Sequence, residues 1–353
     1  MRLGWGGKGN YEYACARTRV RKSKLLTMDT YPKFLLMDLN EISRFLGETQ
    51  YAKEMSELAT RYDGVNLIEL ATSKNLAREY HEVLGFTTGE LRVMIENYLG
   101  RWDAWNIITI LRGKYYGASV EEIREDLVPA GKLKEDDLNQ LLALGSVNEV
   151  MDSTKKFWGV EIPDEVKAAV DKGGILAPVE DYLDKMHYEM LLKSIPLGKE
   201  PQRVFLAYVR KEIDGVNLAT LLKLKREGLS ADRIMPFFIE GGAELKKEEF
   251  SRLAALENLD QVSGELSRYS FHEDIKDALE HSKVTGSMTD VTLAMQSRTL
   301  KTAEKMSHMY PLSVLPILDY IIRKKKEVDN IRIIARGKES GLDPELIKRL
   351  LVI

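Results

Sequence analysis

Asp103-Ala-Trp-Asn106-Ile-Ile-Thr-Ile-Leu-Arg112-Gly-Lys114-Tyr-Tyr-Gly117 returns as Asp214-Gly-Val-Asn217-Leu-Ala-Thr-Leu-Leu-Lys223-Leu-Lys225-Arg-Glu-Gly228. It returns again as Glu327-Val-Asp-Asn330-Ile-Arg-Ile-Ile-Ala-Arg336-Gly-Lys338-Glu-Ser-Gly341. In each copy a carboxylate stands three residues before an asparagine, a basic residue six after it, a lysine eight after it and a glycine eleven after it. Sequence repetition at a fixed period sets the architecture before any single residue sets the chemistry. Apolar residues recur one, four and five positions past each asparagine: Ile107, Ile110, Leu111; Leu218, Leu221, Leu222; Ile331, Ile334, Ala335. That is the period of a helix with one buried face.

The repetition extends outward from these stretches. Leu39-Asn-Glu-Ile42, Val147-Asn-Glu-Val150 and Leu259-Asp-Gln-Val262 form an earlier signature. Past the motif, Gly117 is followed by Ser119 with Glu122, a capping box; Gly228 by Ser230; and Gly341 by Asp343-Pro344, an N-cap with proline at the first helical position. Alternating strand patterns are missing. The spacing predicts an all-α chain of three similar helical units at 31–141, 142–253 and 254–353, behind an N-terminal arm at 1–30. Units of this length, only three in number, are expected to close around a pseudo-threefold axis rather than stack as an open solenoid.

Composition narrows the function. Among 353 residues, 44% are hydrophobic and the formal net charge is −3, so no overall field draws the chain to nucleic acid. The lone cysteine, Cys15, allows no disulfide within the chain and suits a reducing compartment. No stretch reaches the roughly 18 apolar residues of a membrane helix; the nearest, Tyr310 to Ile322, is short and contains Pro311, Pro316 and Asp319. The glycine-rich start, Met1 to Asn10, lacks the apolar core of a signal peptide and reads as a ragged leader.

Catalytic and ligand-binding patterns fail one by one. The five histidines (His81, His187, His272, His281 and His308) show no metal-ligand spacing. Gly6-Gly7-Lys8-Gly9 lacks the strand and the hydroxyl of a phosphate loop. No carboxylate pair stands apart for acid–base work. Catalytic, cofactor and metal residues are therefore all expected to be none. The basic run Arg17, Arg19, Arg21, Lys22 and Lys24 is interleaved with apolar residues at helical spacing and reads as a solvated helix face.

Two readings of the repeated motif stand side by side. In one, carboxylate and asparagine are helix neighbours that hydrogen-bond, and the lysine lies along the apolar stripe near the helix end. In the other, the motif is a surface offered to a partner.

Tyr11-Glu-Tyr-Ala-Cys-Ala-Arg17-Thr-Arg19-Val-Arg21, Leu111-Arg112-Gly113-Lys114-Tyr115-Tyr116-Gly117 and the run from Tyr310-Pro311-Leu312 through Lys338 resemble the C subunit of A-type (archaeal-type) ATP synthases. The counterpart in vacuolar-type ATPases is the d subunit. The resemblance runs from about residue 11 to the end; Lys223-Leu-Lys225 departs from the Arg-x-Lys of the other copies. It implies three similar helical domains arranged as a funnel in a non-catalytic rotor adaptor. Such an adaptor joins the shaft subunits D and F to the membrane proteolipid ring, peripheral to the cytoplasmic side of the membrane, without cofactor and without homo-oligomerisation. On that reading the shaft-socket residues are Arg112, Lys114, Lys223, Lys225, Arg336 and Lys338. Asp103, Asn106, Asp214, Asn217, Glu327 and Asn330 are then their structural orienters. Phe157-Trp158 and Phe237-Phe238 are candidate ring contacts. The alternatives are a helical scaffold gripping a peptide, and a helical enzyme with a single site between units.

Overall fold

The computed structural model describes residues 7–173, 176–196 and 200–352. Residues 1–6 of the glycine-rich start lie outside them. The chain is all-α: among the described residues there are twenty α-helices, two 3-10 turns and no strand. They gather into two compact units. One holds residues 7–14 and 38–194, the other 15–37 and 195–352.

Local signals account for the elements. The early signature marks three helix starts. Asp38, Ser146 and Asn258 each accept the backbone N–H three residues on, from Glu41, Glu149 and Gln261, at 2.8, 3.2 and 3.0 Å. They begin the helices Leu39–Leu46, Val147–Phe157 and Leu259–Glu265. An N-cap oxygen satisfies one of the four N–H groups a helix start leaves open.

The repeated motif forms the ends of three helices: Arg101–Tyr116 in the first unit, and Glu200–Arg226 and Leu315–Glu339 in the second. All three stop alike. Gly117, Gly228 and Gly341 take left-handed φ values of 74°, 75° and 65°. The next residue then donates back to the carbonyl five positions before it: Ala118 to Gly113, Leu229 to Leu224, and Leu342 to Gly337. Only glycine enters this conformation without a Cβ penalty.

The residues one, four and five positions past each asparagine are fully buried. In the first unit Ile107, Ile110 and Leu111 pack in one core with Leu138, Leu141, Leu142 and Val150. In the second, Leu218, Leu221 and Leu222 share a core with Phe250, Leu253, Ala254 and Val262. Each such isoleucine, leucine, valine or phenylalanine contributes about 1.5–3 kcal/mol by leaving water.

The second copy differs where its sequence does. An added Cβ on Gly113 or Gly337 would meet Ile123 or Ile347 at 2.3 and 2.7 Å, so the next helix (Val120–Asp126 or Pro344–Leu350) lies against bare backbone. Leu224 fills that place in the second copy. There the following segment is a four-residue helix, Ala231–Ile234, and a 3-10 turn, Met235–Phe237.

Candidate functional site

Each asparagine clasps the backbone of the residue 22 positions on. Asn106 Nδ2 donates to the Val128 carbonyl at 2.8 Å, and its Oδ1 accepts the Val128 N–H at 2.9 Å. Asn217 does the same to Ile239 at 2.8 and 2.9 Å, and Asn330 to Val352 at 2.8 and 3.2 Å. An asparagine amide carries both a donor and an acceptor, so it satisfies both backbone groups of one buried residue.

The carboxylates hold backbone as well. Asp103 accepts from the N–H groups of Lys132 and Leu133 at 3.1 and 2.9 Å. Asp214 accepts from Ala243, Glu244 and Leu245 at 3.0, 2.9 and 3.0 Å. Burial raises the Asp103 carboxyl to about 6, against the pull of its two N–H donors, and raises Asp214 for the same reason. Glu327 accepts the Leu26 N–H and pairs with the buried Lys324 at 3.0 Å. Asp103 and Asp214 thus orient turns rather than the motif cations or the asparagines. A buried carboxylate needs donors, and a turn of consecutive N–H groups supplies them without burying a second charge.

The motif lysines cap neighbouring helices. Lys114 donates to the carbonyls of Leu142, the last residue of Glu135–Leu142, and of Leu144 just beyond it. Lys225 donates to Leu256, the C-cap of Lys247–Ala255. Lys338 donates at 2.8 Å to Leu35, in the last turn of Thr30–Leu36. A cation there satisfies carbonyls with no intrahelical partner and opposes the negative end of the dipole. Burial lowers the Lys225 pKa.

The third copy therefore takes its matching segment from the start of the chain. Leu26, Tyr31, Phe34 and Leu35 stand where Leu133, Leu138, Leu141 and Leu142 stand in the first copy, and Leu245, Phe250, Leu253 and Ala254 in the second. That spacing was the signal for this role of residues 26–35, which the sequence reading missed. The basic helix before them, Tyr11–Lys22, is fastened through Lys22 to the buried Asp319 at 2.5 Å and through Arg19 to the Pro311 carbonyl at 3.2 Å.

The residues at the sixth position differ from the lysines. Arg112 makes two bonds to Glu180, Nε to Oε1 at 2.5 Å and Nη2 to Oε2 at 2.7 Å, yet its side chain is 52% exposed. Lys223 and Arg336 are exposed. Arg112 and Lys114 lie in the first unit; Lys223, Lys225, Arg336 and Lys338 lie in the second. Trp158 and Phe238 are buried, with Phe157 and Phe237 packed against the same cores.

A groove of about 820 Å³ in the first unit is lined by the apolar Leu70, Ala77 and Leu138 and by the polar Arg78, His81 and Glu125. Among the described residues no group of three or more His, Cys, Asp or Glu could hold a metal ion. No described helix is long and apolar enough to cross a membrane.

The family model described as ATP synthase (C/AC39) subunit matches residues 14–350. The C subunit of the A-type ATP synthase of Methanosarcina acetivorans is 41% identical over 350 residues, 98% of this chain and 94% of that protein. The proteins of the same name from Archaeoglobus fulgidus and Haloferax volcanii are 37% and 36% identical. They align over 99% and 98% of this chain and 98% and 99% of their own.

Proposed function

The chain belongs to the ATP synthase (C/AC39) subunit family, and from that membership we propose that it is a non-catalytic rotor subunit of an A-type ATP synthase. In this reading it is a socket between the shaft subunits D and F and the membrane proteolipid ring, peripheral on the cytoplasmic side. It passes rotation between ATP chemistry elsewhere in the complex and ion movement. The observation that carries the reading is near-full-length similarity to proteins named as the C subunit of A-type ATP synthases, joined to a clasp built three times over.

The proposed socket contacts are Arg112, Lys114, Lys223, Lys225, Arg336 and Lys338. The exposed Arg112, Lys223 and Arg336 lead, and the three lysines steady the helix ends behind them. Asp103, Asn106, Asp214, Asn217, Glu327 and Asn330 keep the wall stiff by tying each motif helix to its incoming segment. Packed helices fastened in this way suit a part that must transmit torque without deforming.

The test is co-purification from membranes. An affinity-tagged chain is expected to bring down the proteolipid ring and the shaft subunits together. Recovery of the folded chain with neither would refute the rotor assignment.

A further inference from the structure

Three exposed side chains share one face of the Arg101–Tyr116 helix. Positions 105, 112 and 116 fall within about 40° of one another at 3.6 residues per turn, along a stripe about 17 Å long. Trp105 is 51% exposed and Tyr116 79% exposed, with the half-exposed Arg112 between them.

Each of the three is held by an internal contact. The Trp105 ring meets the edge of the buried Trp102 ring, centroids 6.4 Å apart at 72°. Trp102 rests in turn on Tyr80 at 6.3 Å. Tyr116 meets Tyr115 edge-on, 5.1 Å apart at 89°. Arg112 is pinned by both oxygens of Glu180. Ordering a free surface side chain on binding costs about 0.5–1.5 kcal/mol; here the ordering precedes the partner. Solitary exposed apolar residues need no explanation, but a held row of Trp, Arg and Tyr has the composition of an interface centre.

The repeat supplies an internal control. The same three positions are Val216, Lys223 and Glu227 in the second copy, and Asp329, Arg336 and Ser340 in the third. Asp329 there serves its own helix, pairing with Lys325 at 2.5 Å. Only the first copy carries aromatic rings at these positions.

Polarity defines what fits. Trp105 carries an indole N–H and Tyr116 a hydroxyl on exposed side chains, and Arg112 keeps Nη1 outside its two bonds to Glu180. All three groups donate. The complementary surface is therefore an apolar stripe to lie on the rings, bordered by carboxylates to accept from them.

We propose that the shaft contact is not shared equally among the three repeats but is carried chiefly by the Trp105–Arg112–Tyr116 stripe, which takes an apolar, acid-bordered face of the shaft complex. This rests on the rotor reading above and goes further, because it singles out one repeat. The three motif helices end in the same backbone turn, yet the side chains at these positions differ from copy to copy. The side chains break the symmetry where the backbone keeps it.

The experiment titrates the full chain with the purified complex of shaft subunits D and F. Trp105→Ala and Tyr116→Ala are each expected to weaken binding about tenfold or more, and Arg112→Ala more than Lys223→Ala. Glu227→Ala and Ser340→Ala, at the matching places of the other copies, should stay within about twofold of the native chain. Since these side chains are exposed, thermal midpoints should hold. Emission from Trp105 should shift to the blue on adding the shaft, and Trp105→Phe should remove that shift while keeping a ring in place. Native affinity after loss of Trp105 and Tyr116, or equal losses at Lys223 and Trp105, overturns the inference and leaves the rotor reading standing. No binding of the shaft by the native chain sinks the rotor reading and the inference with it.

Discussion

Gly242 approaches Asp214 so closely that an added Cβ would lie 2.2 Å from the carboxylate Oδ1. Gly131 and Asp103 repeat the relationship at 2.1 Å in the first copy. Gly242→Ala must push the carboxylate off the three N–H groups it accepts, or the turn off the helix. Overpacking of this kind costs about 1–3 kcal/mol. Urea melts should show that loss for Gly242→Ala and Gly131→Ala alike. Gly264→Ala, in a helix with nothing within 4 Å, should be neutral or slightly stabilising. A Gly242→Ala chain as stable as the native one would contradict the close approach.

Asn217→Leu leaves both backbone groups of Ile239 unpaired in a buried place, and Asn217→Asp removes the donor while adding a charge. Each unpaired buried group costs about 1–3 kcal/mol. The leucine variant should lose at least that much stability. Asn106→Leu and Asn330→Leu should lose comparable amounts, since the geometry is repeated. Unequal costs, with one site neutral, would show that one clasp is ornamental.

Lys338→Met keeps the apolar stem and removes the ammonium that caps Leu35. Hydrogen exchange across residues 30–36 should then accelerate by roughly tenfold, the equivalent of about 1.4 kcal/mol. Exchange across Arg101–Tyr116, in the other unit, should not move. Protection unchanged at both places would assign the end of Thr30–Leu36 to packing alone.

His187 gives a pH signature. Burial, aided by the positive charges of Arg101 and Lys132, drives its pKa down to about 3. The unfolded imidazole titrates near 6.5. Between those values the unfolded chain binds a proton that the native chain refuses. The stability His187 contributes is thus complete above pH about 6.5 and lost as pH falls toward 3, at about 1.4 kcal/mol per pH unit. His187→Gln should flatten this slope. From pH 7 to 5, the native chain should lose about 2 kcal/mol relative to the variant in denaturant melts. Parallel stability curves for the two would exclude it.

Much of this architecture was legible in the residues. Ile107, Ile110, Leu111 and their counterparts announced a helix face by period alone, and Ser119, Asp343 and the closing glycines announced the ends. The motif also drew the eye to the asparagines and carboxylates that matter structurally. Their partners were not legible. Val128, Ile239 and Val352 are bound through backbone, and a backbone N–H has no side chain to mark it. The lysines were expected to serve the end of their own helix; they serve a neighbour's, which only tertiary packing determines. Leu26 and Leu35 were hidden for a different reason. Their repeat is written at the wrong end of the chain.

That displacement sets a schedule. Tyr31, Phe34 and Leu35 leave the ribosome about 300 residues before Glu327, Asn330 and Lys338 exist to receive them. At synthesis rates of 5–20 residues per second the delay is roughly 15–60 s. For that interval a short apolar helix has no home, and the unit it belongs to cannot finish folding. Over those seconds its apolar face stays open to other chains, an aggregation hazard that ends only when the last motif copy arrives, whatever the mature protein's own stability.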